Sequence, residues 1–174
     1  MNNNKKIIIV SIVIIILLAV LFATVQFINK KSKPENVLTE QEINMYYTTQ
    51  QVMYLTPEKR IIQTDNLFKN TINELIKGPK DSSLNKTIPE GVELLGINVK
   101  NGLARVDFNR ALVDNHWGGS TGERMTIYSI VNTLTQFKEI EKVMILIDGD
   151  KVKTLAGHLD LSEPLTRNEK IIKK

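Results

Sequence analysis

The chain has 174 residues, 42% of them apolar, no cysteine and a formal net charge of +4. This length holds a membrane anchor and one globular domain but is short for two separate cores; the lack of cysteine excludes disulfides, thiolate metal ligands, a cysteine nucleophile and a lipid-modified cysteine. The positive excess flanks the hydrophobic run and fills the C-terminal end, while residues 35–164 carry fourteen basic against eighteen acidic groups, about −4, which excludes a basic nucleic-acid-binding face.

After a short segment 1–6, Ile7 to Ile28 is apolar except for Ser11, Thr24 and Gln26. A helix of this length spans about 33 Å, enough for a hydrocarbon core of ~30 Å. A cleaved signal peptide has an apolar stretch of about 7–15 residues and a small-x-small site. This run is longer and has no such site near Ala19 or Ala23. It is therefore expected to be an uncleaved transmembrane anchor, residues 7–28. Two lysines precede it, three follow, and the amino terminus evens the score, so charge sets no orientation.

Residues 29–44 are polar, contain Pro34 and read as a linker. Met45–Thr48 and Gln51–Ile62 are expected strands. Asp65 can cap a helix whose apolar positions Phe68, Ile72, Leu75 and Ile76 fall on one face, and Gly78-Pro79 ends it. Val92–Val99 and Leu103–Phe108 form a hairpin across Asn101-Gly102. A second helix is expected from about Thr121 to Gln136, with Ile127, Ile130, Val131, Leu134 and Phe137 turned inward. Val143–Ile147 reads as a central strand buried on both faces. Asp148-Gly149 then turns into an edge strand, Val152–Leu155. Residues 166–174 read as a loose basic tail. The order β-β-α-β-β-α-β-β predicts an α+β domain over residues 45–165, an antiparallel or mixed sheet backed by helices.

Gly118-Gly119-Ser120-Thr121-Gly122 satisfies G-x-S-x-G, and Asp148 and His158 follow in the chain order of an α/β-hydrolase triad. The context is wrong for a nucleophile elbow, because the last strand residue, Phe108, lies ten residues before Gly118. Ser120 to Glu123 also reads as a capping box, the serine hydroxyl accepting from the Glu123 N–H and the glutamate reaching back to Ser120. Gly118, Gly119, Ser120 and Glu123 are thus a structural helix cap or a candidate anion-binding turn. His116 and Trp117 are a candidate contact surface. Asp107 is expected to accept backbone hydrogen bonds at a strand end. No histidine or carboxylate spacing calls for a metal, and nothing calls for a cofactor.

Leu75-Ile76-Lys77-Gly78-Pro79, Ile88-Pro89-Glu90-Gly91 and Ala104-Arg105-Val106-Asp107-Phe108 come first in a series of short motifs. Gly118-Gly119-Ser120, Glu123, Ile130–Thr135, Val143–Gly149 and Gly157–Leu165 follow. Together they resemble the GerMN domain of sporulation and spore-germination proteins. The resemblance implies a non-enzymatic, extracytoplasmic domain of Gram-positive bacteria, similar in fold to the ring-building domains of envelope secretion machines. The partners it implies are envelope proteins or further copies of the chain, beside the membrane that holds the N-terminal helix. Family members often carry two such domains or a lipid-attached cysteine; this chain has one domain and no cysteine. Two other readings of the same residues are a sensor for cell-wall fragments or an anionic small molecule, and a hydrolase built on Ser120.

Overall fold

The computed structural model describes residues 12, 14–24 and 39–173. Residues 14–24 are helical with exposed side chains. Segment 1–6 and the rest of the expected anchor lie outside the described residues, as does the linker up to residue 38. Among the described residues no helix is long and apolar enough to cross a membrane.

Residues 38–174 form one compact unit. Strands β1 (Thr39–Thr49), β2 (Leu55–Thr64) and β3 (Leu84–Asn85) make an antiparallel sheet in the order β2-β1-β3. Helix α1 (Leu67–Lys77) lies between β2 and β3 in sequence. The second sheet contains β4 (Leu94–Lys100), β5 (Leu103–Phe108), β6 (Lys142–Ile147) and β7 (Asp150–Lys151), with β8 (Leu165–Thr166) also pairing to β6. It is mixed: β5 and β6 run parallel and the other pairs antiparallel. A parallel pair needs a long crossover, which the short helix α2 (Ala111–Asp114) and the longer α3 (Ser120–Leu134) supply. The expected α+β class and the order of the main elements stand, but the strands divide between two sheets.

Local chemistry explains most boundaries. Asn101 and Gly102 both have positive φ, 52° and 76°, as a two-residue type I′ hairpin requires. β6 is buried along nearly its whole length because it is flanked by β5 on one side and by β7 and β8 on the other. Asp107 accepts the Gly149 N–H at 2.9 Å, the strand-end role expected of it. One core joins both sheets to both long helices, through Ile43 and Tyr47 of β1, Ile72 of α1, Phe108 of β5, Ile130 of α3 and Ile145 of β6.

Four expectations need correction. β1 begins at Thr39, inside the assigned linker, because Glu40–Glu42 pair with Ile61–Gln63 while their side chains face solvent. Asp65 does not cap α1; the N-cap is Asn66, whose N–H donates to Thr64 Oγ1 at 2.9 Å. Val152–Leu155 is not a strand, since β7 ends at Lys151. The tail is not loose. Buried Asn132 of α3 donates to Asn168 O at 3.0 Å and accepts the Asn168 N–H at 2.9 Å. Arg167 donates to Asn132 O at 2.7 Å and to the Tyr46 hydroxyl at 2.6 Å, and Ile171 is buried. Lys173 N–H then donates to Leu55 O at 2.8 Å.

Asn132 therefore acts as a strand surrogate for the C-terminal segment. Asn132→Leu keeps the volume but strands the Asn168 N–H and C=O, and is expected to cost about 2–3 kcal/mol in denaturant unfolding. Faster amide exchange at Asn168 should accompany it. A loss below roughly 0.5 kcal/mol would mean that the apolar contacts of Ile171 alone hold the segment.

Candidate functional site

Helix α3 is entered through Gly118 and Gly119, both at φ 78°, and Gly119 is its N-cap. Positive φ at two successive residues turns the chain sharply, which only glycine allows without steric cost. Glu123 N–H donates to Gly119 O at 3.0 Å as the first helical bond. Ser120 consequently lies inside the first turn, exposed, and makes no capping bond. The reciprocal Ser120–Glu123 pair expected from the sequence does not form, because the turn places Ser120 one position too late.

Glu123 points into the domain and has no exposed surface. Its Oε1 accepts from the Thr154 hydroxyl, from Leu155 N–H at 2.8 Å and from Ala156 N–H at 3.0 Å. Its Oε2 accepts from His158 N–H at 2.9 Å and Leu159 N–H at 3.3 Å. Burial works to raise the pKa of this carboxyl, but the Thr154 hydroxyl and the backbone N–H groups of Ala156, His158 and Leu155 outweigh it and hold the group below its ordinary value. The carboxylate takes these bonds from residues 154–159, and it sits in the first turn of α3, where the helix N-terminus favours negative charge. It fixes loop 154–159, which overlaps the end of the expected edge strand Val152–Leu155.

His116 Nδ1 accepts the Gly118 N–H at 2.9 Å, which leaves the proton on Nε2, facing Thr126 Oγ1 at 3.2 Å. Burial lowers the His116 pKa against the opposing pull of Glu123, so the ring is neutral at pH 7. Trp117 stacks on it, ring centroids 5.5 Å apart. A Cβ on Gly122 would lie 3.0 Å from the indole, so a glycine at that position leaves room for the ring to seat against α3.

Ser120, Asp148 and His158 do not assemble. Ser120 opens α3, Asp148 sits in the β6–β7 turn at φ 50°, and His158 offers its backbone N–H to Glu123 while its side chain is exposed. No hydrogen bond joins the three side chains, and no strand runs into Gly118. Among the described residues no cluster of three or more histidine, aspartate or glutamate side chains could hold a metal ion.

The family model described as Germane, sporulation and spore germination, matches residues 28–153. The chain belongs to this family. Three solved structures are similar to this Germane chain. A Clostridium perfringens protein, provisionally described as a lipoprotein, is 27% identical over 73% of this chain and 87% of that one, with a TM-score of 0.53. The tandem GerMN domains of the sporulation protein GerM from Bacillus subtilis are 22% identical over 80% of this chain and 48% of that one, with a TM-score of 0.59. The first of those domains alone gives 20% identity, 74% and 98% coverage and a TM-score of 0.61. The two GerM structures bear on the fold alone. No curated protein matches the chain.

The Germane fold also contains two features that motif reading did not single out. Arg60, inside β2, is buried against Glu58 and Glu74. A groove of about 820 Å³ runs between β2 and the start of β4, lined by Ile61–Gln63, Val92–Leu94 and the α1 residues Asn70, Asn73, Glu74, Ile76 and Lys77. β4 pairs on one side only, and so does β2 beyond its first residue, Leu55, which Ile172 bridges. The expected strand Met45–Thr48 lies in the central strand β1, and the expected edge strand Val152–Leu155 is irregular. Arg60 shares the buried face of β2 with Ile62 and Thr64, and the two-residue alternation along the strand is the signal that could have placed it there. The groove was not legible, because it depends on how two sheets meet.

Proposed function

We propose that this chain is a membrane-anchored, non-catalytic interaction module of a Gram-positive cell envelope, engaged in sporulation- or germination-linked assembly. Family membership supports the biological setting, and the lipoprotein-like relative supports the extracytoplasmic placement. This chain has no cysteine to carry a lipid, and the apolar run Ile7–Ile28 takes over the anchoring. GerMN-like residues 45–165 serve as the interacting domain, with residues 29–44 leading into it.

The observation that carries the reading is the groove bordered by the one-sided strands β2 and β4. Unpaired strand edges recruit a further strand, and Ile61 and Leu95 stand exposed beside them. A partner's extended segment with apolar residues at alternate positions fits this edge chemistry. Photo-crosslinkers placed at Ile61, Gln63 and Leu95 of the full chain in the native bacterium should trap the same envelope proteins. Lys151, on β7 at the far edge of the second sheet, is the control position. Adducts no different from those of Lys151 would remove the groove as the partner site.

A further inference from the structure

We propose that the tip of the β1–β2 hairpin, together with Trp117, docks on an anionic lipid surface. This rests on the reading of the chain as membrane-anchored and adds a second contact between domain and bilayer.

The tip concentrates exposed apolar and aromatic side chains on loops: Met53 is 60% exposed, Tyr54 46% and Trp117 54%. They are neighbours. Val52 and Trp117 line one cleft of about 260 Å³, with Met125 at its wall. Tyr54, two residues on, lines a second hollow with Ile172, Lys170 and Lys173. The indole is held rigidly between His116 and Gly122, so it is presented rather than tucked away. Val52 keeps φ at 52°, an uncommon conformation for a β-branched residue, and its N–H donates to Thr49 O at 2.9 Å to fix the turn. Strain of this kind concentrates at contact sites.

Charge decides the class of partner. The domain as a whole is acidic, yet the nearby acids are already matched: Glu90 pairs with Lys86 and Glu169 with Arg167. Lys170 and Lys173 are exposed, and neither has a carboxylate within ion-pair distance among the described residues. Trp and Tyr with a lysine rim suit the wet boundary of a bilayer, where aromatic bodies enter the headgroup layer and ammonium groups meet phosphate. Among the described residues the Trp117 indole N–H and the Tyr54 hydroxyl make no hydrogen bond, and a headgroup layer supplies acceptors for both. Residues 29–38, ten in number, have a contour of about 33 Å. That spans the roughly 30 Å of the hairpin, so an anchored chain can lay its tip on the bilayer.

Trp117 is the only tryptophan in the chain, which makes the test direct. The full chain is reconstituted into vesicles containing brominated phosphatidylcholine, with or without phosphatidylglycerol. Trp117 emission should be quenched and blue-shifted only with the anionic lipid. Molar salt should reverse this, and each of Lys170→Glu and Lys173→Glu should lower the docked-to-free ratio about fivefold or more. A chain that floats with the vesicles while Trp117 stays solvent-like overturns the docking and leaves the anchor intact. A blue shift without bromine quenching means a protein contact and also overturns it. Failure to float at all, without quenching, removes both readings.

Discussion

Glu123→Gln is expected to destabilise the domain by about 3–5 kcal/mol, on the order of 10–15 °C in Tm. The carboxylate is fully buried and both of its oxygens accept, three donors on Oε1 and two on Oε2. An amide keeps one acceptor and turns an NH₂ toward two N–H groups, so a cluster of charge-assisted bonds becomes a donor–donor conflict. The damage should be local at first: exchange at the Leu155, Ala156 and His158 amides should accelerate before the β5–β6 amides change. The pH dependence has a definite sign. Because the folded-state pKa lies below the ordinary 4.5, the contribution is present above that value and is lost as pH falls through the folded pKa. Glu58, Glu74, Asp81 and Asp160 are also depressed, so the wild-type acid limb draws on several carboxylates, and the variant should show a shallower one. An unchanged acid limb, or a loss under about 1 kcal/mol, would mean that loop 154–159 is held by its apolar residues Leu155 and Leu161 instead.

Glu123 also marks where the sequence stops being informative. Spacing alone fits it to a capping box, since S-x-x-E is a local pattern and local patterns are what a sequence displays. Its real partners are the Thr154 hydroxyl and backbone N–H groups 32–36 residues downstream, and backbone donors leave no residue-type signal. The edge strand expected at Val152–Leu155 failed for the same reason: the apolar letters are there, but the Thr154 hydroxyl and the Leu155 N–H are committed to a carboxylate. Elements whose cause is local were legible. Leu103–Phe108 matches β5 to the residue, and Asn101-Gly102 makes its hairpin. The start of β1 was hidden because Thr39–Glu42 pairs through its backbone while Glu40, Gln41 and Glu42 stay exposed. The C-terminal segment looked like a charged tail, and its docking depends on Asn132 and Tyr46, far away in the chain.

Arg60→Met is the second large effect. Arg60 is 5% exposed in the middle of β2 and ties that strand to the C-terminal end of α1. Its Nε donates to Glu58 at 2.7 Å, its Nη1 reaches Glu74 O and the Glu74 carboxylate at 3.3 Å, and its Nη2 donates to Gly78 O at 2.7 Å. The guanidinium also lies over the Tyr47 ring, 5.6 Å from its centroid. Replacing a whole buried ion pair with apolar groups is often neutral, but methionine here replaces only the cation. The carboxylates and the helix-end carbonyls remain, together with the negative end of the helix dipole. Each keeps some other partner, which limits the loss: the Tyr47 hydroxyl donates to Gly78 O at 3.0 Å, Lys77 meets Glu74, and the Lys80 and Asp81 N–H groups meet Glu58 at 2.9 Å. The expected cost is therefore about 2–4 kcal/mol rather than the 3–5 of a fully orphaned charge. Arg60→Lys restores the charge without the planar fork and should recover roughly half of it. The double change Arg60→Met with Glu58→Gln tests the reason. Removing the carboxylate as well should cost less than the two single changes added together, and strict additivity would mean that Arg60 acts through its packing on Tyr47 and not through its charge.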